Sequence, residues 1–184
     1  RRSLSLPTQQ NTMSAPAAMR CIVGAPTGSG KTILAELAVF RALTRSHLAG
    51  GKKPLVVYVA PMKALVAERI LDWREKFSKH LGKRIVELTG DASPTHAELD
   101  AADIIVATPE KFEVSTRFFN SNPAHFLHRV NLVVFDEVHL LGEDRGASLE
   151  GLVCRLKACT RLKAGLGKPV RLLGLSTALA NAQD

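Results

Sequence analysis

Residues 25–32 read Ala-Pro-Thr-Gly-Ser-Gly-Lys-Thr, an order of residue types that suits a polyanion. Gly28 and Gly30 let backbone N–H groups turn toward a phosphate chain with no side chain intervening, and a helix start directly behind them adds donors and a favourable dipole. Lys31 is placed to reach the β- and γ-phosphates of a nucleoside triphosphate, and the Thr32 hydroxyl is a hard oxygen of the kind Mg²⁺ prefers. Pro26, Thr27 and Ser29 complete the turn. The pattern is A-x-x-x-x-G-K-T, with Ala25 where the usual phosphate loop has Gly and with Gly24 just before it.

Hydrolysis of a nucleotide also needs an acid near the metal and a group that orients or deprotonates water. The stretch "NLVVFDEVHLL" offers both: Asp136 ends an apolar run, placed to hold Mg²⁺ through water, and the adjacent Glu137 can act as general base. Acids at a strand end are ordinary taken alone, but here they share a chain with the phosphate loop. His125 and His128 stand three apart, yet no nearby Cys or acidic pair completes a metal site. They are expected at the surface or as capping residues.

These groups need a scaffold that brings distant segments to one edge. Apolar runs rich in Val, Ile and Leu recur as "CIVGA", "PLVVYVA", "RIVELTG", "DIIVAT", "NLVVFDE" and "VRLLGLST", and read as strands buried on both faces. Helices are expected from Lys31 to about Ser46, from Ala64 to Leu81, after Pro109, and around Leu149, Leu152, Val153 and Leu156. Val66, Ile70, Trp73 and Phe77 form one helical stripe, so Trp73 is expected to pack in the core and not to stack on a base. Alternating strands and helices predict an α/β fold: a doubly wound, mostly parallel sheet flanked by helices, with ligands at the carboxyl ends of the strands.

The bulk properties agree. The 184 residues suit one domain, and 46% hydrophobic with 23% charged residues is a globular composition. A net charge of +8 attracts anions, although the basic residues are spread along the chain and equally suit ordinary solvated faces. Cys21, Cys154 and Cys159 make an odd count with no C-x-x-C pair, which disfavours a disulfide framework and points to a reducing compartment. The opening "RRSLSLPTQQN" lacks a signal-like apolar core, and no run approaches a membrane span, so no membrane partner is expected.

Taken with "DEVH" at 136–139, the set resembles superfamily 2 helicases of the DExH, Ski2-like group. "APMKAL" (60–65) looks like motif Ia, "TGD" (89–91) like motif Ib, "ATPEKF" (107–112) like the strand-contacting motif that follows, and "STA" (176–178) like motif III. The likeness runs over essentially the whole chain. It implies a RecA-like domain that binds ATP and Mg²⁺, with Lys31, Asp136 and Glu137 in the chemistry. It also implies that Gln9 reads adenine, with adjacent Gln10 as the alternative register. His139 would link the nucleotide site to motif III, where Ser176-Thr177-Ala178 swaps the commoner Ser-Ala-Thr order and so puts coupling in question.

Contacts to single-stranded RNA or DNA are implied for Pro61, Met62, Lys63, Thr89, Gly90, Thr108, Pro109, Glu110 and Lys111. Loops at strand ends can offer N–H groups, hydroxyls and Lys to phosphates without reading sequence. Residues 1–184 are expected to be the first RecA-like domain. The resemblance implies a second, with an arginine finger, elsewhere in a parent chain; neither Arg145 nor Arg171 sits in a motif that would substitute for it. The resemblance further implies a larger protein complex, 3′-to-5′ movement, and a nuclear or cytosolic setting. A catalytically quiet cassette serving as an interaction platform is the rival expectation, and a non-helicase phosphate-loop ATPase a third.

Overall fold

A computed structural model describes residues 20–47, 53–117, 125–141, 143–162 and 170–177. Six strands are described: β1 (Arg20–Gly24), β2 (Leu55–Val59), β3 (Ile85–Leu88), β4 (Ile104–Ala107), β5 (Val130–Phe135) and β6 (Arg171–Ser176). They form one sheet in the order β1-β6-β5-β2-β4-β3, and every pairing is parallel. The helices are α1 (Lys31–His47), α2 (Lys63–Trp73), α3 (His96–Ala101), α4 (Pro109–Ser115) and α5 (Glu143–Leu162). This is the doubly wound α/β architecture of a RecA-like domain.

Strand β2 shows why near-continuous apolar runs belong in such a sheet. Leu55, Val57 and Val59 point into one core, with Leu99 of α3, Phe112 of α4, and Leu152 and Leu156 of α5. Val56 and Tyr58 point into the other, with Val39 of α1 and with Val66, Ile70 and Trp73 of α2. Successive strand residues face opposite ways, so a strand covered on both sides must be apolar throughout.

Strand β1 departs from that expectation. Its residues are mostly exposed, Ile22 at 63%, because among the described residues β1 pairs only with β6 and lies at the sheet's edge; β3, at the other edge, is likewise only half-buried over residues 85–87. The long helix expected from Ala64 to Leu81 begins at Lys63, stays α-helical to Trp73 and continues as a π-helical turn from Arg74 to Lys79. Wider i→i+5 bonding there still points Phe77 inward, and the chain leaves through Gly82 at φ +61°.

The expected packing of Trp73 is observed: it is fully buried, edge-on to Tyr58 and Phe77 at centroid separations of 4.9 and 5.3 Å. His125 is a cap. Its Nδ1 accepts from Leu127 N–H at 3.2 Å and its Nε2 lies 2.9 Å from the Ser115 carbonyl, while burial pushes its pKa below the usual histidine value. Among the described residues no cluster of His, Cys, Asp and Glu could hold a metal, and no helix is long and apolar enough to cross a membrane.

Candidate functional site

Because all six strands run the same way, every strand-to-helix loop opens on one edge of the sheet. Strand order therefore sets the order of the chemistry along that edge: the phosphate loop after β1, Ser176 and Thr177 at β6, Asp136 to His139 after β5, then the loops after β2, β4 and β3. Strands are spaced about 4.8 Å apart, so the β1 and β5 ends lie roughly 10 Å from one another.

The loop after β1 closes as its composition requires. Gly28 and Gly30 sit at φ +80° and +90°, which side-chain-bearing residues rarely adopt, and a Cβ added at either would meet nothing within 4 Å. Their faces toward solvent are therefore open. Lys31 opens α1 and folds back over the loop, its Nζ donating to the carbonyl oxygens of Ala25 (2.6 Å) and Pro26 (3.0 Å). Ala25 N–H donates to Ser176 O at 3.0 Å, which fastens the loop to the end of β6.

Asp136 is held from three sides. Its N–H donates to Val59 O at 2.8 Å, its Oδ1 accepts from Glu137 N–H at 3.0 Å, and its Oδ2 accepts from the Tyr58 hydroxyl. Burial, then the charge of Asp136, pushes the Tyr58 hydroxyl well above the usual tyrosine pKa, against an opposing effect of Arg69. Glu137 adopts φ +45°, an uncommon backbone state for a residue with a side chain. Its Oε2 is buried with no hydrogen-bond partner, 3.4 Å from His139 Nδ1.

His139 joins the two halves of this end. Thr177 Oγ1 lies 2.8 Å from its Nε2, and Ser176 Oγ 3.3 Å from its Nδ1. The swapped hydroxyl order at 176–177 thus still delivers both hydroxyls to one imidazole.

Further along the edge, the loops after β2, β3 and β4 enclose a groove of about 520 Å³ lined by Pro61, Met62, Lys63, Gly90, Thr108, Glu110, Lys111 and Val114. Lys63 Nζ lies 2.8 Å from both carboxylate oxygens of Asp91, and Lys111 Nζ donates to Ser93 Oγ at 3.3 Å. Seven of the nine residues assigned to a nucleic-acid strand meet here. Thr89 and Pro109 do not line the groove: Thr89 is 1% exposed with its hydroxyl donating to Glu87 Oε1, and Pro109 is buried in the first turn of α4.

A family model described as DEAD/DEAH box helicase matches residues 6–184. The chain belongs to the DEAD/DEAH box helicase family. Similar proteins include activating signal cointegrator 1 complex subunit 3 of Homo sapiens, 46% identical over 164 residues, and that of Rattus norvegicus, 45% identical over 163 residues. Each alignment covers 89% of this chain and 7% of the relative. The RQC trigger complex helicase SLH1 of Saccharomyces cerevisiae is 48% identical over 162 residues, which is 88% of this chain and 8% of that protein. The chain thus spans less than a tenth of the length of these relatives.

Membership makes this an ATP-binding helicase domain with a RecA-like phosphate-loop fold. That settles the third expectation, a phosphate-loop ATPase outside the helicases, against it. Gln9, Gln10 and Ala178 lie outside the described residues. Sequence reasoning missed Tyr58 and Val114, which the helicase fold brings to Asp136 and to the groove. No spacing signal marks Tyr58, because it lies 78 residues from Asp136 in the chain.

Proposed function

We propose that this chain is the first RecA-like domain of an ATP-dependent helicase, drawing work from ATP to move along or separate strands of RNA or DNA with a second RecA-like domain of its parent polypeptide. The observation that carries the reading is the order along one sheet edge: an open phosphate loop, an acid pair, a bridging histidine and a groove with two lysines.

The donors suit ATP and Mg²⁺. Thr32 and Asp136 are hard oxygen ligands of the kind Mg²⁺ takes, and the orphaned Oε2 of Glu137 is a buried acceptor suited to water. When bound, Mg²⁺ would neutralise phosphate charge at the transferring group. The backbone N–H groups of residues 28–32 would hold the phosphates, and Lys31 would exchange its loop carbonyls for phosphate oxygens. Glu137 would orient a water and accept its proton. His139, with Glu137 Oε2 and Ser176 Oγ beside its Nδ1 and Thr177 Oγ1 beside its Nε2, would report the state of that end to the rest of the motor.

The groove would hold phosphates and sugars of a single strand without reading bases, through Lys63, Lys111 and the backbone around Gly90 and Thr108. Replacing Lys63 or Lys111 with Ala in the full-length protein is expected to weaken single-stranded RNA binding about equally for all sequences. Each should also lower the slope of log affinity against log salt by about 0.7. Binding titrations from low to moderate salt check this; an unchanged slope in both variants would show that the strand runs elsewhere.

The names of the relatives place them in an activating signal cointegrator 1 complex and an RQC trigger complex. By that analogy the parent of this chain acts within a larger assembly; a nuclear or cytosolic setting rests on the resemblance to the Ski2-like group alone. The isolated 184 residues would bind nucleotide but hydrolyse it feebly, because an arginine finger supplied from a second domain contributes roughly 10³ to 10⁵ in rate in phosphate-loop enzymes. A quiet interaction platform stays the alternative reading, and the contacts of both hydroxyls with His139 support the motor.

A further inference from the structure

Tyr58 has no place in the motifs that carry the family resemblance, yet among the described residues its hydroxyl donates to Asp136 Oδ2 from outside the acid pair itself. It sits one residue before the end of β2, which pairs with β5 so that Tyr58 stands opposite Val134, two residues before Asp136. Its ring is 1% exposed. Trp73 packs edge-on against it at 4.9 Å, and the Arg69 guanidinium lies 5.5 Å from its centroid and 5.7 Å from that of Trp73. Trp73 is itself anchored, its Nε1 donating to Glu36 Oε1 at 3.1 Å. A hydroxyl on so confined a ring has little freedom, and its single donor is committed to Asp136 Oδ2.

The same strand holds the backbone of Asp136, through Val59 O, and its side chain, through Tyr58. Oδ1 is occupied by Glu137 N–H, so the two hydrogen bonds fix the plane of the carboxylate. Outer partners of a metal-holding carboxylate orient it and tune its affinity, and their loss commonly weakens metal binding or activity 10- to 100-fold. We propose that Tyr58 is a positioning residue for nucleotide-bound Mg²⁺, locking the rotamer in which Asp136 presents its remaining lone pairs to the ion. This rests on the Mg-ATP reading of the site given above.

The test uses Tyr58→Phe in the full-length protein, which keeps the ring and removes the hydroxyl, with Asp136→Asn beside it. Binding of a fluorescent ADP analogue is titrated with Mg²⁺, kcat and KM for ATP are measured at saturating Mg²⁺, and thermal melts are recorded. For Tyr58→Phe the Mg²⁺ concentration giving half-maximal analogue binding should rise about tenfold. kcat should fall by a similar factor, with KM for ATP within about twofold and the melting midpoint nearly unchanged.

An unchanged Mg²⁺ requirement, with or without a lower melting point, would overturn the proposal and leave Tyr58 a packing residue. Asp136→Asn separates the two levels of failure. If it removes the Mg²⁺ dependence while Tyr58→Phe does not alter it, the positioning role alone is wrong. If Asp136→Asn also leaves the Mg²⁺ dependence intact, the metal site itself has been misplaced, and the role of Tyr58 falls with it.

Discussion

Glu137→Gln in the full-length protein is expected to cut ATP turnover by about 10² to 10⁴, the usual contribution of a positioned general base, while Mg-ATP still binds. The carboxylate follows a strand end at φ +45°, and one of its oxygens is buried without a hydrogen-bond partner. Strain and an orphaned acceptor at the same residue are costly unless something else benefits, which is the usual signature of a functional position. Gln preserves shape and one acceptor oxygen but cannot take a proton. Phosphate release and equilibrium binding of a fluorescent ATP analogue check the two halves separately. Turnover above about a tenth of wild type would show that Glu137 is not the base.

Trp73→Ala should be the most destabilising single change in the core around α1 and α2. The side chain is completely buried between Tyr58 and Phe77, and its indole N–H is bonded to Glu36 of α1. Truncating a buried Trp costs about 3 to 5 kcal/mol through lost transfer energy and the cavity left behind. That is a large share of the 5 to 15 kcal/mol that typically separates folded from unfolded domains. A drop of roughly 10 °C in the melting midpoint is expected for a domain of this size. Trp73→Phe, which keeps most of the packing and loses only the indole N–H and one ring, should fall between. A Trp73→Ala midpoint within about 2 °C of wild type would mean that the aromatic cluster contributes little.

Much of this arrangement is legible from residue types. Within "PLVVYVA" and "DIIVAT" the strand residues Leu55–Val59 and Ile104–Ala107 are hydrophobic throughout because both faces of β2 and β4 are covered, and the structure buries every one of them. "PTGSGKT" announces its own geometry, since only residues like Gly tolerate the φ values at 28 and 30. Where the sequence misleads, the reason is position in the sheet. "CIVGA" is as apolar as its siblings yet forms an edge strand, and no local pattern distinguishes an edge from a centre.

Other features left a signal that periodicity alone overlooks. Helix α3 is only six residues long, but Thr95 and Glu98 form a reciprocal capping box, and "T-x-x-E" is visible in the chain. The π-helical turn at Arg74–Lys79 keeps Phe77 inward, so its apolar stripe matches that of a continued α-helix. The bond between Tyr58 and Asp136 joins strands neighbouring in space and distant in sequence, which only the pairing of β2 with β5 reveals.

In the proposed strand-driven motor this chain carries the nucleotide half. Steady-state ATP turnover by the full-length protein, with and without single-stranded RNA or DNA, decides whether it does, with the isolated 184 residues assayed alongside. The predicted result is turnover that rises with added strand in the full-length protein and stays feeble in the 184 residues alone. ATP bound by the full-length protein with no strand-stimulated turnover would contradict the motor and favour a quiet platform, and brisk stimulated turnover by the 184 residues would contradict the need for a second domain.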